Sequence, residues 1–202
     1  VTASKTYDGG TALSTGNVTI TGVSVGGVAQ TLSYTGTASL SDVNVATANK
    51  YVITSGMTLG SGTGLASNYL LPSSARSANN TATIQALALT ATSIDAGTSI
   101  YGNSYATGAV HFGNVVGSDA VSASVSLSVP AGSLSAGLKA NVGTYDQVAS
   151  TSLTGAQASN YSFAGFTSPS SYTVTQRTLT GVSIASSQST YGNALSAGAV
   201  TF

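Results

Sequence analysis

The side chains able to do chemistry are few and far apart. The chain of 202 residues carries one His, five Lys and Arg, five acids and no Cys. All the acids are Asp: Asp8, Asp42, Asp95, Asp119 and Asp146. Acid–base catalysis needs a titratable side chain with a partner in reach, and nucleophilic catalysis needs a Ser, Thr or Cys beside a base. His111 is the single imidazole. It stands between Val110 and Phe112 in an alternating stretch, so it faces away from both and reads as a surface residue. Zinc takes three or four Cys, His or carboxylate ligands, and calcium takes several closely spaced oxygens. One His and isolated Asp supply neither, so no catalytic residue, metal site or cofactor is assigned, and no enzyme is expected. Lys50 and Lys139 could enter an intramolecular isopeptide bond, but no Glu is present to assist and their positions do not recur.

Net charge is zero, and charged residues make only 5% of the chain. Lys5, Lys50, Arg76, Lys139 and Arg177 form no cluster, so nucleic acid is excluded as a partner, as is an anionic membrane surface. No apolar run approaches the roughly 20 residues of a spanning helix, so this segment does not insert into a membrane. Hydrophobic residues still make 42%. Apolar residues alternate with Ser and Thr, which points to folded β structure.

Tyrosine is the side chain that recurs with fixed neighbours. Residues 99–112 read S-I-Y-G-N-S-Y-A-T-G-A-V-H-F, and ninety residues later 189–202 read S-T-Y-G-N-A-L-S-A-G-A-V-T-F. Tyr7, Asp8 and Gly9 begin a looser copy. Each start therefore carries a Tyr and a tight turn: Tyr7-Asp8-Gly9, Tyr101-Gly102-Asn103 and Tyr191-Gly192-Asn193. A second pair recurs as Asn68-Tyr69 and Asn160-Tyr161. A fixed period of this kind is the mark of a repeat architecture.

The elements that hold these tyrosines are short strands. Residues 18–23, 31–40 and 50–54 alternate in the first copy, with Gly26-Gly27 as a turn and 60–64 as a Gly-rich loop. Residues 87–94, 109–112 and 121–129 alternate in the second, and V-S-A-S-V-S-L-S-V at 121–129 is the clearest, with Ser outward. No stretch has helical periodicity. The division is 1–86, 87–177 and 178–202, the last being the start of a third copy. Val1 falls inside a copy, so a longer parent chain is expected. About seven short strands per copy, with turns between them, fit an all-β fold of Ig-like antiparallel β-sandwich repeats. The joins at residues 83–89 and 173–179 contain no linker, so the units are expected end to end with limited bending.

The order of these motifs resembles the YDG/MBG repeats of large bacterial surface proteins. It rests on Lys5-Thr6-Tyr7-Asp8-Gly9, Asn141-Val142-Gly143-Thr144, Ser67-Asn68-Tyr69, Ser159-Asn160-Tyr161 and Thr81-Ala82-Thr83-Ile84. The Tyr101 and Tyr191 starts resemble the MBG variant. Asn44-Val45-Ala46-Thr47 departs from the pattern by having Ala for Gly. The resemblance implies a stalk segment of an extracellular, cell-surface adhesin of the filamentous-haemagglutinin, two-partner-secretion kind.

Recurrence decides how the tyrosines read. Asn68-Tyr69 and Asn160-Tyr161 occur in both copies and read as scaffold, with the ring buried and Asn serving a turn. Tyr7, Tyr101 and Tyr191 are expected to pack at a unit end, against the preceding unit. Three functions follow. The first is a structural spacer that bears tension and projects a binding tip, its partners being neighbouring repeats. The second is a fibre or biofilm-matrix component that assembles with copies of itself through uncharged faces or strand donation. The third is a carbohydrate-binding module using an exposed platform of Tyr105, Tyr145, Phe163 and Phe166.

Overall fold

Alternating apolar and hydroxyl residues favour strands over helices, and the computed structural model is all-β. It describes residues 1–181 and 183–202, and their only helices are four 3-10 turns of three residues. In the first unit, Thr2–Thr6 lies between Val18–Thr19, which is antiparallel to it, and Thr81–Gln85, which is parallel. A second sheet orders Ala12–Leu13, Ala38–Leu40 and Val52–Ile53. Two further ribbons join Val23–Val25 to Val28–Gln30 and Leu32–Gly36 to Met57–Ser61. In the second unit, four strands pair in the order Gly97–Ile100, Phe166–Thr175, Gly143–Thr154, Ser122–Ser128. Ala91–Ile94 pairs with Val110–Phe112, and Leu87–Ala88 with Tyr161–Ser162.

The expectation of purely antiparallel sheets is corrected. The strand that leads into each Tyr turn runs parallel to the last strand of its unit: Thr2–Thr6 with Thr81–Gln85, and Gly97–Ile100 with Phe166–Thr175. The consequence is directional. The chain enters a unit at one end and leaves at the other, so the following unit begins at the far end.

Strand limits also differ from the alternation. Residues 31–40 split, because Gly36 takes φ +90° and ends the extended run; Leu32–Gly36 and Ala38–Leu40 then join different sheets. Residues 87–94 split as well, into Leu87–Ala88 and Ala91–Ile94. Of residues 50–54, only Val52–Ile53 enters a ladder. Lys50 instead turns its ammonium onto the carbonyls of Val45 and Thr47. The loop expected at 60–64 begins inside the strand Met57–Ser61.

Buried amides complete the backbone pairing. Asn80, fully buried, donates to the Val52 and Ser73 carbonyls and accepts from the Val52 N–H. Gln147, equally buried, donates to the Asp95 and Ser171 carbonyls and accepts from the Gly108 N–H. Each stands in for a missing strand neighbour, which a buried backbone group requires.

Two apolar clusters form. The smaller gathers Ala140, Tyr145, Tyr172 and Val174 within the second unit. Gly97 makes room there, since a Cβ would meet the Tyr172 ring at 2.5 Å. The larger joins Tyr7, Val18, Leu40, Val52, Met57 and Ile84 of the first unit to Leu89 and Tyr161 of the second. One core therefore crosses the boundary between residues 86 and 87.

Candidate functional site

The strand Thr2–Thr6 delivers Tyr7 to the end of the first unit, where the Tyr7 N–H bonds the Gln85 carbonyl at 2.9 Å. The turn that follows has its own brace. The Lys5 ammonium, inside the unit, lies 2.5 Å from the Asp8 carboxylate and donates to the carbonyls of Gly10 and Ala12. Burial pushes the Asp8 carboxyl up, but Lys5 and the Gly10 N–H outweigh it and hold the pKa below its ordinary value. Gly9 sits at φ +78°, and a Cβ there would meet Val116 of the second unit at 2.9 Å. Gly is required both by the backbone and by the close approach.

Across the boundary, Tyr7 meets Tyr161 edge to face, with ring centroids 5.3 Å apart and planes at 75°. Both hydroxyls donate to one oxygen of Asp119, Tyr7 at 2.8 Å and Tyr161 at 2.6 Å. The Tyr161 oxygen also accepts the Val116 N–H at 3.0 Å. Burial first, and then the bond to Asp119, raises the Tyr7 pKa and takes that of Tyr161 to about 12. A phenolate facing the Asp119 carboxylate would be repelled, so the neutral hydroxyls are favoured.

A second clamp flanks the first. Asp42 accepts the Asn44 N–H at 2.7 Å, which with the bond from Thr47 draws the carboxyl below its ordinary pKa. The loop so shaped presents Asn44 and Val45 to the second unit. Asn160, 1% exposed, accepts the Val45 N–H at 2.8 Å and donates to Asn44 at 3.2 Å. Charge-assisted bonds, a tyrosine pair and a shared core thus fix one unit against the next. The junction offers hydrogen bonding and shape, with no nucleophile beside a base. Among the described residues, no three His, Cys, Asp or Glu side chains gather as for a metal. His111, on the strand Val110–Phe112, and Asp95, just past the end of Ala91–Ile94, form an exposed pair at 2.8 Å, a contact worth little in water.

The expected site residues separate. Tyr7, Gly9, Asn160 and Tyr161 meet at the junction, with Asp8 bracing the turn. The expectation that Tyr7 packs on a preceding unit is corrected: it packs on the following one, because its strand ends at the exit end. Tyr101, Gly102 and Asn103 form the corresponding turn of the second unit, with Gly102 at φ +87°. There Arg177 supplies the cation, donating to the Tyr101 carbonyl at 2.8 Å and to the Asn103 side chain. Tyr191, Gly192 and Asn193 form a third turn, with Gly192 at φ +90° and Tyr191 fully exposed. Asn68 is exposed, and Tyr69 donates to Gln30 at 2.5 Å within its own unit.

The aromatic platform is also corrected. Tyr145 is buried and donates to the Asn141 carbonyl. Tyr105 packs edge to face on Tyr172, and its oxygen accepts the Ala140 N–H. Phe163 packs edge to face on Phe112 in the junction core. Phe166 is half-buried in the strand Phe166–Thr175. The four divide between different packing environments because their strands reach different clusters. The reading missed Asp119, which looked isolated in sequence, as well as Val116 and Asn44. Tyr7 and Asp119 are 112 positions apart, and no spacing rule links them.

Residues 1–82 match the YDG domain family. No curated protein and no solved structure matches the chain.

Proposed function

We propose that this segment, which begins with a YDG-type domain, is a run of Ig-like stalk units from an extracellular, cell-surface adhesin. Its work is to hold a binding tip at a distance and to bear tension. The observation that carries this reading is the junction built around Tyr7, Asp119 and Tyr161. A core shared across the boundary resists bending, and the strand before each Tyr turn runs parallel to the last strand, so the chain leaves a unit at the end its Tyr turn occupies. Pulling along the chain loads strand pairs such as Thr2–Thr6 with Thr81–Gln85, whose five paired residues are strained together. The composition supports the same reading: neutral Ser- and Thr-rich faces carry no recurring chemistry.

Small-angle scattering extrapolated to infinite dilution tests it. The expected particle is a rod about two units long with a narrow distribution of end-to-end distance. A compact particle, or two freely jointed bodies, would overturn it.

A further inference from the structure

Two tyrosine pairs in this fold stand edge to face, and their hydroxyls meet different partners. At the junction, the ring centroids of Tyr7 and Tyr161 are 5.3 Å apart. Within the second unit, those of Tyr105 and Tyr172 are 6.1 Å apart. The Tyr7 and Tyr161 hydroxyls both donate to Asp119 Oδ2, at 2.8 and 2.6 Å. Two hydroxyls on one oxygen draw the hydroxyl-bearing ends of the rings together. Tyr105 and Tyr172 accept instead, from the Ala140 and Ala106 N–H groups. Among the described residues, neither of those hydroxyls meets a carboxylate.

That difference decides which pair is ready for oxidation. A neutral phenol that loses one electron must also lose its proton. A base already within hydrogen-bond reach takes that proton without rearrangement. Asp119 is such a base for both hydroxyls. It is half-buried, so a proton it takes passes on to water. The same bonds hold both phenols neutral in the resting fold, with the proton in place to be handed over. A phenoxyl radical carries unpaired density on the ring carbons beside its oxygen, and here those carbons belong to rings already in contact.

We propose that Tyr7 and Tyr161 form a cross-linking site, at which a one-electron oxidant joins the two units covalently as dityrosine. Each phenol gives one electron to the oxidant and its hydroxyl proton to Asp119. The two radicals couple through one new bond between carbons ortho to the oxygens. The hydrogen on each coupled carbon then moves to its own oxygen, which restores both phenols. Net, one carbon–carbon bond replaces two carbon–hydrogen bonds, two electrons go to the oxidant and two protons go to water. A peroxidase or a photo-excited metal complex is an oxidant of the required class. The link ties the turn after Thr2–Thr6 to the strand Tyr161–Ser162, so it spans the boundary between the units. The inference goes beyond the stalk reading, because it assigns a chemistry to the junction whatever the parent chain does.

Photo-oxidation of the full chain with a ruthenium tris-bipyridine complex and persulfate tests it, at a dilution that keeps chains apart. Trypsin cuts after Lys5, Lys50, Arg76, Lys139 and Arg177. Tyr7 then lies in residues 6–50, Tyr105 in 77–139, and Tyr161 and Tyr172 in 140–177. The expected product is 6–50 joined to 140–177, two hydrogen atoms lighter than their sum, with dityrosine fluorescence. Fragmentation should place the link at Tyr7 and Tyr161. It should form ahead of any link from 77–139 to 140–177. Asp119→Asn keeps an acceptor oxygen but loses the base, and should cut the yield. Tyr161→Phe keeps the ring and should abolish the product, with circular dichroism unchanged in both variants. Oxidation in urea should lose the preference for this pair, which holds the test open even where a variant misfolds. Absence of the product, or a link through Tyr34 or Tyr145 in its place, would overturn the proposal. So would an equal yield from Tyr105 and Tyr172, or a folded Asp119→Asn chain that links as well as the original.

Discussion

Tyr161 and Tyr69 hold the same place in successive units, each preceded by Ser-Asn, yet their surroundings differ. Tyr161 is 6% exposed, shares Asp119 with Tyr7 and lies in a core fed by both units. Tyr69 is half-buried, bonds Gln30 of its own unit and borders an open groove. Leu70 is almost fully exposed where Ser162 is paired to Ala88. The contrast teaches that this end of a unit is completed by its neighbour. The Ser-Asn-Tyr motif prepares a surface, and the Tyr7 turn, the Asn44 loop and a Leu-Ala-Leu strand finish it.

Tyr161→Ala attacks the covered end most directly. It removes a buried ring, its partner for Tyr7 and the hydroxyl on Asp119. Urea unfolding is expected to show a loss of about 3–5 kcal/mol, with the two units no longer melting together. Unchanged cooperativity would break the comparison. Alkaline pH acts next. The Tyr161 pKa is raised in the folded state, so its contribution to stability is intact below its unfolded value near 10. That contribution falls as pH climbs toward about 12, by up to roughly 3 kcal/mol, and Tyr7 adds in the same direction. Spectrophotometric titration should find two tyrosines ionising late, and a single transition near 10 for all of them would contradict the clamp. Asp119→Ala deprives two hydroxyls of their acceptor. The expected cost is about 2 kcal/mol by thermal or urea unfolding, with the Tyr161 pKa moving back toward 10. At Leu70, 96% exposed, the effect nearly vanishes. Leu70→Ser should change the stability of the dilute monomer by less than about 0.5 kcal/mol, because nothing covers the side chain. A large loss there would mean that the two ends are alike after all.

Much of the local structure was legible. The alternation at 121–129 became Ser122–Ser128, with its serines outward. Gly26-Gly27 became the turn of a hairpin, both glycines at positive φ. The junction was less so. Asp8 declares itself as part of a turn motif, and Lys5 as its neighbour in sequence. Asp119 does not: its partners Tyr7 and Tyr161 lie 112 and 42 positions away, and Tyr69, in the place of Tyr161, donates instead to Gln30 on the strand Val28–Gln30. The cation that braces the exit turn moves likewise, from Lys5 ahead of the turn in the first unit to Arg177 far behind it in the second. A charge can be supplied from any element that reaches the same carbonyls, so its position in sequence need not repeat.

What the sequence by itself determined is the periodicity: alternating side chains that favour strands, glycines that place the turns, and tyrosines set at each unit's ends. These follow from backbone sterics and from the two faces of a strand, which act over a few residues. Only the tertiary structure decided that the strand before each Tyr turn runs parallel to the last strand of its unit, that Tyr7 faces the following unit and that Asp119 joins two tyrosines. Those outcomes depend on which distant segments share a surface. That choice is made by the burial of whole faces together, which no local pattern encodes.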